Sequence, residues 1–90
     1  MRLISWDVNG IRAAVKKDFI NSVQQMRPDV LCLQETKAQD HQVLEAVGGL
    51  DGYHITPCSA VRPGYSGTAI FSRHSPASIQ LGIGIEEHDQ

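Results

Sequence analysis

Cysteine and excess charge are both scarce in this sequence. The 90 residues include only two cysteines, Cys32 and Cys58, which lie in apolar stretches without the paired spacing of a disulfide framework or a zinc site. We therefore expect a reduced, cytoplasmic environment. Lysine and arginine total 8 against 10 acidic residues, a formal net charge of -2. This balance excludes a chain that holds nucleic acid or membrane through bulk positive charge, so any site for a polyanion must be local.

Long hydrophobic runs are also missing. Asp7 interrupts the apolar start before it could serve as a signal peptide, and no stretch approaches the roughly 20 residues of a membrane span. We therefore expect a soluble, intracellular protein. The composition, with 41% hydrophobic and 20% charged residues in 90, is that of one small globular domain, which excludes a multidomain enzyme.

The hydrophobic pattern predicts an α/β chain. Residues 3–8 are rich in β-forming side chains and are followed by Asn9 and Gly10, which predicts a strand that ends in a turn. Residues 13–26 carry apolar side chains at spacings of one, three and four, the pattern of an amphipathic helix. Residues 29–35 include four consecutive apolar residues, typical of a strand covered on both faces. Strand, helix and strand in this order predict a parallel crossover.

The second half of the sequence predicts one more helix and further strands. A weaker helical pattern covers residues 40–47, two strands are predicted at residues 53–58 and 68–72, and a last strand at residues 77–81. Two helices cover one face of a sheet of four or five strands, whereas the apolar residues 30–33 require cover on both faces. We therefore expect a fragment of a larger domain whose second layer is missing.

Polar side chains follow both strands of the predicted crossover. Asp7 and Asn9 come at the end of the first strand, and Glu35 and Lys37 at the end of the second. Ligands bind at this edge of open α/β sheets, and oxygen donors without clustered histidine or cysteine favour Mg²⁺ or Mn²⁺ over zinc. Such an ion assists phosphodiester cleavage. The alternatives are a plain turn at Asp7 to Gly10 and the polar end of a strand at Glu35.

Basic residues are predicted near the start of the first helix. Arg12, Lys16 and Lys17 would crowd the positive end of its dipole, a conflict that a phosphate would relieve. The alternative is a solvated polar face. Gly64 and Tyr65 could present backbone amides and an aromatic ring to a sugar-phosphate chain, or could belong to a simple loop between strands.

Taken together, these stretches resemble the exodeoxyribonuclease III family of apurinic/apyrimidinic endonucleases, within the endonuclease/exonuclease/phosphatase superfamily. The most specific block is PDVLCLQETK at residues 28–37. Further matching stretches lie at residues 4–6, 9–13, 64–67, 82–84 and 86–89. The resemblance implies a four-layer α/β sandwich, of which residues 1–90 would form the N-terminal half: one mixed sheet with helices on its outer face.

The same resemblance implies a DNA repair hydrolase of base excision repair. The full-length domain would be a monomeric endonuclease that cuts double-stranded DNA 5′ to abasic sites and a 3′-5′ exonuclease that degrades 3′ ends. It would lie in the cytoplasm, at the nucleoid in bacteria, or in the nucleus in eukaryotes. By similarity, Asp7 and Glu35 would bind Mg²⁺ or Mn²⁺ with Asn9 and Lys37 supporting the site, and Arg12, Ala13, Lys17, Gly64 and Tyr65 would bind DNA.

Two departures from the family pattern limit what the resemblance implies. Asp7 stands where the family typically has asparagine, and a second carboxylate there predicts an altered pH or metal dependence. The family's catalytic residues, including the aspartate that activates water, all correspond to positions beyond Gln90, so this segment contains no catalytic residue and we expect it to be inactive alone. Two alternatives stay open: a phosphatase of the same superfamily acting on a small phosphorylated ligand, and a non-catalytic module that binds DNA or protein.

Overall fold

A computed structural model describes residues 1–60 and 66–75 of the chain, which form one sheet and three helices. The first strand is followed by two short helices, and the second strand by a third helix and a pair of further strands. In chain order the elements are β1 (Leu3–Asp7), α1 (Ile11–Lys16), α2 (Phe19–Met26), β2 (Val30–Gln34), α3 (Asp40–Ala46), β3 (His54–Ser59) and β4 (Gly67–Ser72).

The four strands form a mixed sheet in the order β1-β2-β4-β3. β1 and β2 are parallel, as the predicted crossover requires, whereas β4 pairs antiparallel with both β2 and β3. The register aligns Ile4 with Leu31 and Leu31 with Phe71, so these side chains share one face. The mixed sheet with helices on one side confirms the predicted fold class.

The core lies between this face and the helices. Leu31, Leu33 and Phe71 of the sheet are fully buried and form one cluster with residues of all three helices. Phe19 of α2 occupies its centre, with its ring 5.1 Å from Trp6 and 6.2 Å from Phe71. On the opposite face of the sheet the described residues place no helix.

The predicted helix over residues 13–26 is wrong in one respect, because the chain forms two helices there instead of one. The break falls at Asp18, whose backbone is left-handed with φ 82°. In one straight helix Phe19 would lie about 80° around the axis from Ile11. The break allows both residues to be buried, at 0% and 1% exposure.

The other predicted elements within the described residues match the structure to within one residue at either end. The strand predicted at residues 77–81 lies outside the described residues. Within residues 1–60 and 66–75, no helix has the length and apolar character needed to cross a bilayer.

Candidate metal centre

The turn after β1 brings two polar side chains to the edge of the sheet. Asn9 and Gly10 both have positive φ, 48° and 103°, which reverses the chain directly after the strand. Glycine adopts this conformation without strain, and asparagine tolerates it better than most residues. The Asn9 backbone N–H donates to Asp7 Oδ1 at 3.0 Å. Asp7 is therefore fixed by its own turn.

The end of β2 has an unusual backbone. Glu35 and Lys37 also have positive φ, 56° and 52°, although neither is glycine. This conformation costs L-residues roughly 1 kcal/mol or more each. The two side chains remain half exposed, at 42% for Glu35 and 41% for Lys37. A strained segment thus presents one acid and one base to solvent at the same edge as Asp7.

The two turns bring four side chains together. Asp7 raises the pKa of Glu35 through side-chain hydrogen bonding and through its negative charge, and partial desolvation adds to this effect. Lys37 acts in the opposite direction on that pKa. Its Nζ lies 4.0 Å from Glu35 Oε1 and donates to Asn9 Oδ1 at 2.5 Å. The cluster is a pair of crowded carboxylates next to one lysine and one amide.

The donor set of this cluster fits a hard divalent cation. Mg²⁺ is usually held by one or two carboxylates and completes its octahedron with water and substrate phosphate oxygens. Asp7 and Glu35 supply two carboxylates whose mutual repulsion a cation would relieve. Within residues 1–60 and 66–75 no group of three or more histidine, cysteine or acidic side chains is placed to hold a metal ion, so the two carboxylates are only part of a coordination shell. Their oxygen donors fit Mg²⁺ or Mn²⁺.

The basic residues near the first helix are placed differently from the sequence-based expectation. Lys16 lies in the last turn of α1 and Lys17 is its C-terminal cap, so both are at the negative end of the helix dipole, where cations are favourable. The predicted conflict with the dipole is therefore wrong for these two lysines, because α1 is short and begins at Ile11. Only Arg12 lies in the first turn.

Arg12 has a contact that the sequence did not predict. Its Nη2 donates to the backbone carbonyl of Lys37 at 3.0 Å. The signal for this proximity is the parallel pairing of β1 and β2, which places the residues after both strands at one edge of the sheet. Ala13 is exposed on α1. Gly64 and Tyr65, for which a DNA-binding role was expected, lie outside the described residues.

Comparisons with known proteins agree with one another. Residues 4–90 match the Endonuclease/Exonuclease/phosphatase family. The chain is 50% identical over 92 residues to an exodeoxyribonuclease of Bacillus subtilis, covering 100% of this chain and 35% of that protein. It is 39% identical to the DNA repair nuclease APEX1 of Danio rerio, again covering 100% of this chain and 30% of that protein. The chain thus spans about a third of the length of these relatives.

A solved structure supports the same grouping. An AP endonuclease from Archaeoglobus fulgidus superimposes with a TM-score of 0.69 and 34% sequence identity, covering 81% of this chain and 28% of that one. The sheet and helices described above are therefore part of the α/β sandwich to which AP endonucleases belong.

Proposed function

The chain belongs to the Endonuclease/Exonuclease/phosphatase family, and on that premise we propose that it is the N-terminal portion of a single Mg²⁺-dependent nuclease domain. The full domain cleaves double-stranded DNA 5′ to abasic sites and removes nucleotides from 3′ ends. One observation carries the proposal: β1 and β2 are parallel neighbours, so Asp7 at the end of β1 and Glu35 directly after β2 lie at the same edge of the sheet, where a cation can contact a phosphate.

Each residue of the cluster has a role in this proposal. Glu35 and Asp7 hold Mg²⁺ or Mn²⁺, while Lys37 and Asn9 keep the two carboxylates oriented through the Lys37 Nζ to Asn9 Oδ1 bond. Bound metal supplies polarisation of the phosphate and neutralises charge on the leaving oxygen. Five further residues contact the DNA backbone in this proposal: Arg12, Ala13, Lys17, Gly64 and Tyr65.

The 90 residues alone are inactive under this proposal. The described part of the chain has no third carboxylate near the pair and no histidine in hydrogen-bond contact with it. Hydrolysis also requires a base that takes a proton from water, and positioned bases contribute typically 10²–10⁴-fold in rate. That base comes from the remainder of the domain.

A chimera tests the proposal. This chain replaces the matching residues of the Bacillus subtilis exodeoxyribonuclease, with which it is 50% identical. The substrates are a duplex with one abasic site, a duplex with a recessed 3′ end and a small phosphorylated ligand. We expect cleavage 5′ to the abasic site with Mg²⁺ and none by the 90-residue chain alone.

Two variants of the chimera show whether the candidate site is used. Glu35→Gln removes one carboxylate and should lower the rate about a hundredfold or more, because a metal contributes several kcal/mol to the transition state. Asp51→Asn makes the same charge change at an exposed residue outside the site and should leave the rate unchanged. Equal rates for both variants, or hydrolysis of only the small ligand, contradict the proposal.

A further inference from the structure

The segment that carries Glu35 and Lys37 is held in a conformation that its sequence does not favour. Both residues have left-handed backbone, with φ of 56° and 52°, on either side of Thr36. Non-glycine residues adopt this conformation rarely, and two of them in three positions need support from the surrounding structure.

Hydrogen bonds hold the backbone of the segment from one side. The carbonyl of Glu35 accepts from Gly10 N at 2.8 Å, and the carbonyl of Thr36 accepts from Ile11 N at 2.9 Å. The Arg12 guanidinium donates to the carbonyl of the next residue along the segment, at 3.0 Å. Three successive carbonyls are therefore bound by three successive residues that follow β1.

Thr36 holds the segment from the other side. Its side chain is fully buried at 0% exposure, and its backbone N–H donates to Gly67 O at 3.0 Å. A Cβ placed on Gly67 would lie 3.0 Å from Thr36 Oγ1 and 3.2 Å from both Ala60 N and Cys58 O. Within the described residues the Thr36 hydroxyl has no hydrogen-bond partner. The Thr36 side chain packs against the backbone of Gly67.

We propose that Thr36, packed against Gly67, is a positioning residue that holds Glu35 and Lys37 in left-handed backbone and so brings their side chains to Asp7 and Asn9. With the buried side chain in place, the segment cannot relax towards an ordinary extended conformation. The inference rests on the proposed function for the role of the metal, but the backbone support it describes can be measured without any metal.

Hydrogen exchange of the 90-residue chain tests the support directly. The amides of Gly10 and Ile11 donate to the segment, so they report its opening. Thr36→Ala should speed their exchange about tenfold relative to the core amides, whereas Thr36→Val, which keeps the volume, should change it less than about twofold. Val23→Ala is the matched control, because it removes buried volume in α2 without touching the segment.

Manganese binding supplies the second measurement. Mn²⁺ should broaden the NMR signals of Asp7 and Asn9 in the wild-type chain, and Thr36→Ala should weaken this binding about tenfold at constant fold. If the alanine variant does not fold, Thr36→Ser should shift both measurements in the same direction. Exchange at Gly10 that is no faster in Thr36→Ala than in Val23→Ala, or equally fast in Thr36→Val, overturns the inference. Absence of broadening in the wild-type chain contradicts the metal role alone, since the exchange data are independent of metal.

Discussion

At the scale of single residues, the main electrostatic feature is the neighbouring pair of acidic side chains, Asp7 and Glu35. In the absence of a cation, ionised Glu35 is disfavoured by its neighbour Asp7, which raises its pKa above the ordinary value of 4.5. The resulting loss in the free energy of unfolding is absent below pH 4.5 and grows as the pH rises through the raised pKa of Glu35. The repulsion between the two carboxylates is therefore greatest at neutral pH, where a divalent cation would bind best.

Asp7→Asn should stabilise the metal-free chain at neutral pH. Asparagine keeps an oxygen that can accept from Asn9 N, so the substitution removes the charge and leaves the turn intact. We expect Tm in EDTA to rise by a few degrees near neutral pH, with the difference disappearing below pH 4.5.

Thermal unfolding with and without Mg²⁺ completes this test. Mg²⁺ should raise Tm of the wild type more than that of Asp7→Asn, because a ligand that binds the folded state more tightly stabilises it more at the same concentration. Asp51→Asn, an exposed control, should change neither value. A lower Tm for Asp7→Asn in EDTA at neutral pH would show that the two carboxylates do not repel.

Asp29, which directly precedes β2, has a pKa that is shifted in the opposite direction. The pKa of Asp29 is lowered below its ordinary value of 3.8, chiefly because its Oδ2 accepts from Arg2 N at 2.6 Å, with the positive charge of Arg73 adding to the effect. The carboxylate therefore stabilises the fold above pH 3.8, and this contribution is lost as the pH falls through the lowered value.

Asp29→Asn should thus reduce stability slightly at neutral pH and have no effect in strong acid. Urea midpoints at about pH 7 and about pH 2 measure the difference. Because the group is exposed, added salt should shrink the neutral-pH difference. An equal loss at both pH values would show that the charge of Asp29 makes no contribution to stability.

At the scale of elements, the C-terminal end of α2 has a strained backbone. α2 ends at Met26, and Arg27 follows in left-handed backbone with φ 51°, its N–H donating to Val23 O at 2.8 Å. This is the position where glycine is usual. Arg27→Gly should therefore be more stable than Arg27→Ala by about 1 kcal/mol in urea unfolding. Equal stability of the two variants would mean that the backbone strain at this cap is negligible.

The elements that could be predicted from the sequence are those with a local signal. Alternating β-formers and a following Asn9-Gly10 turn are enough to locate β1, and the parallel pairing that follows from the crossover places Asp7 next to Glu35. The break at Asp18 could not be predicted, since it depends on how Ile11 and Phe19 reach a core formed by distant strands.

The finer arrangement of the site was also beyond sequence reasoning. The contact between Lys37 and Asn9 requires left-handed backbone at Glu35 and Lys37, which no local propensity of these two residues favours. The burial of Thr36 depends on Gly67, 31 residues away in a strand whose place between β2 and β3 is set by long-range pairing. Residue types can thus indicate the chemistry of a site, while its geometry comes from tertiary contacts.

At the scale of the whole molecule, the sheet is covered on one side only by the described residues. The helices and the inner faces of β2 and β4 form a single core. On the other face Ile70 is 44% exposed, and Ser5, Thr56 and Cys58 are exposed as well. In an α/β sandwich this face meets a second sheet, so the chain alone should associate weakly through it and the complete domain should bury it.

The Ile70→Lys variant tests whether this face is exposed in the 90-residue chain and buried in the complete domain. In the 90-residue chain the lysine should reduce concentration-dependent association in sedimentation velocity without loss of stability, because Ile70 is exposed there. In the chimera with the Bacillus subtilis enzyme the same lysine would be buried without a partner and should destabilise the domain by about 3 kcal/mol or more. Leu44→Lys is the matched control, since Leu44 is similarly exposed at 47% but lies on α3, outside the sheet. It should change neither measurement, and a chimera that tolerates both lysines equally would mean that the open face is not where the rest of the domain packs.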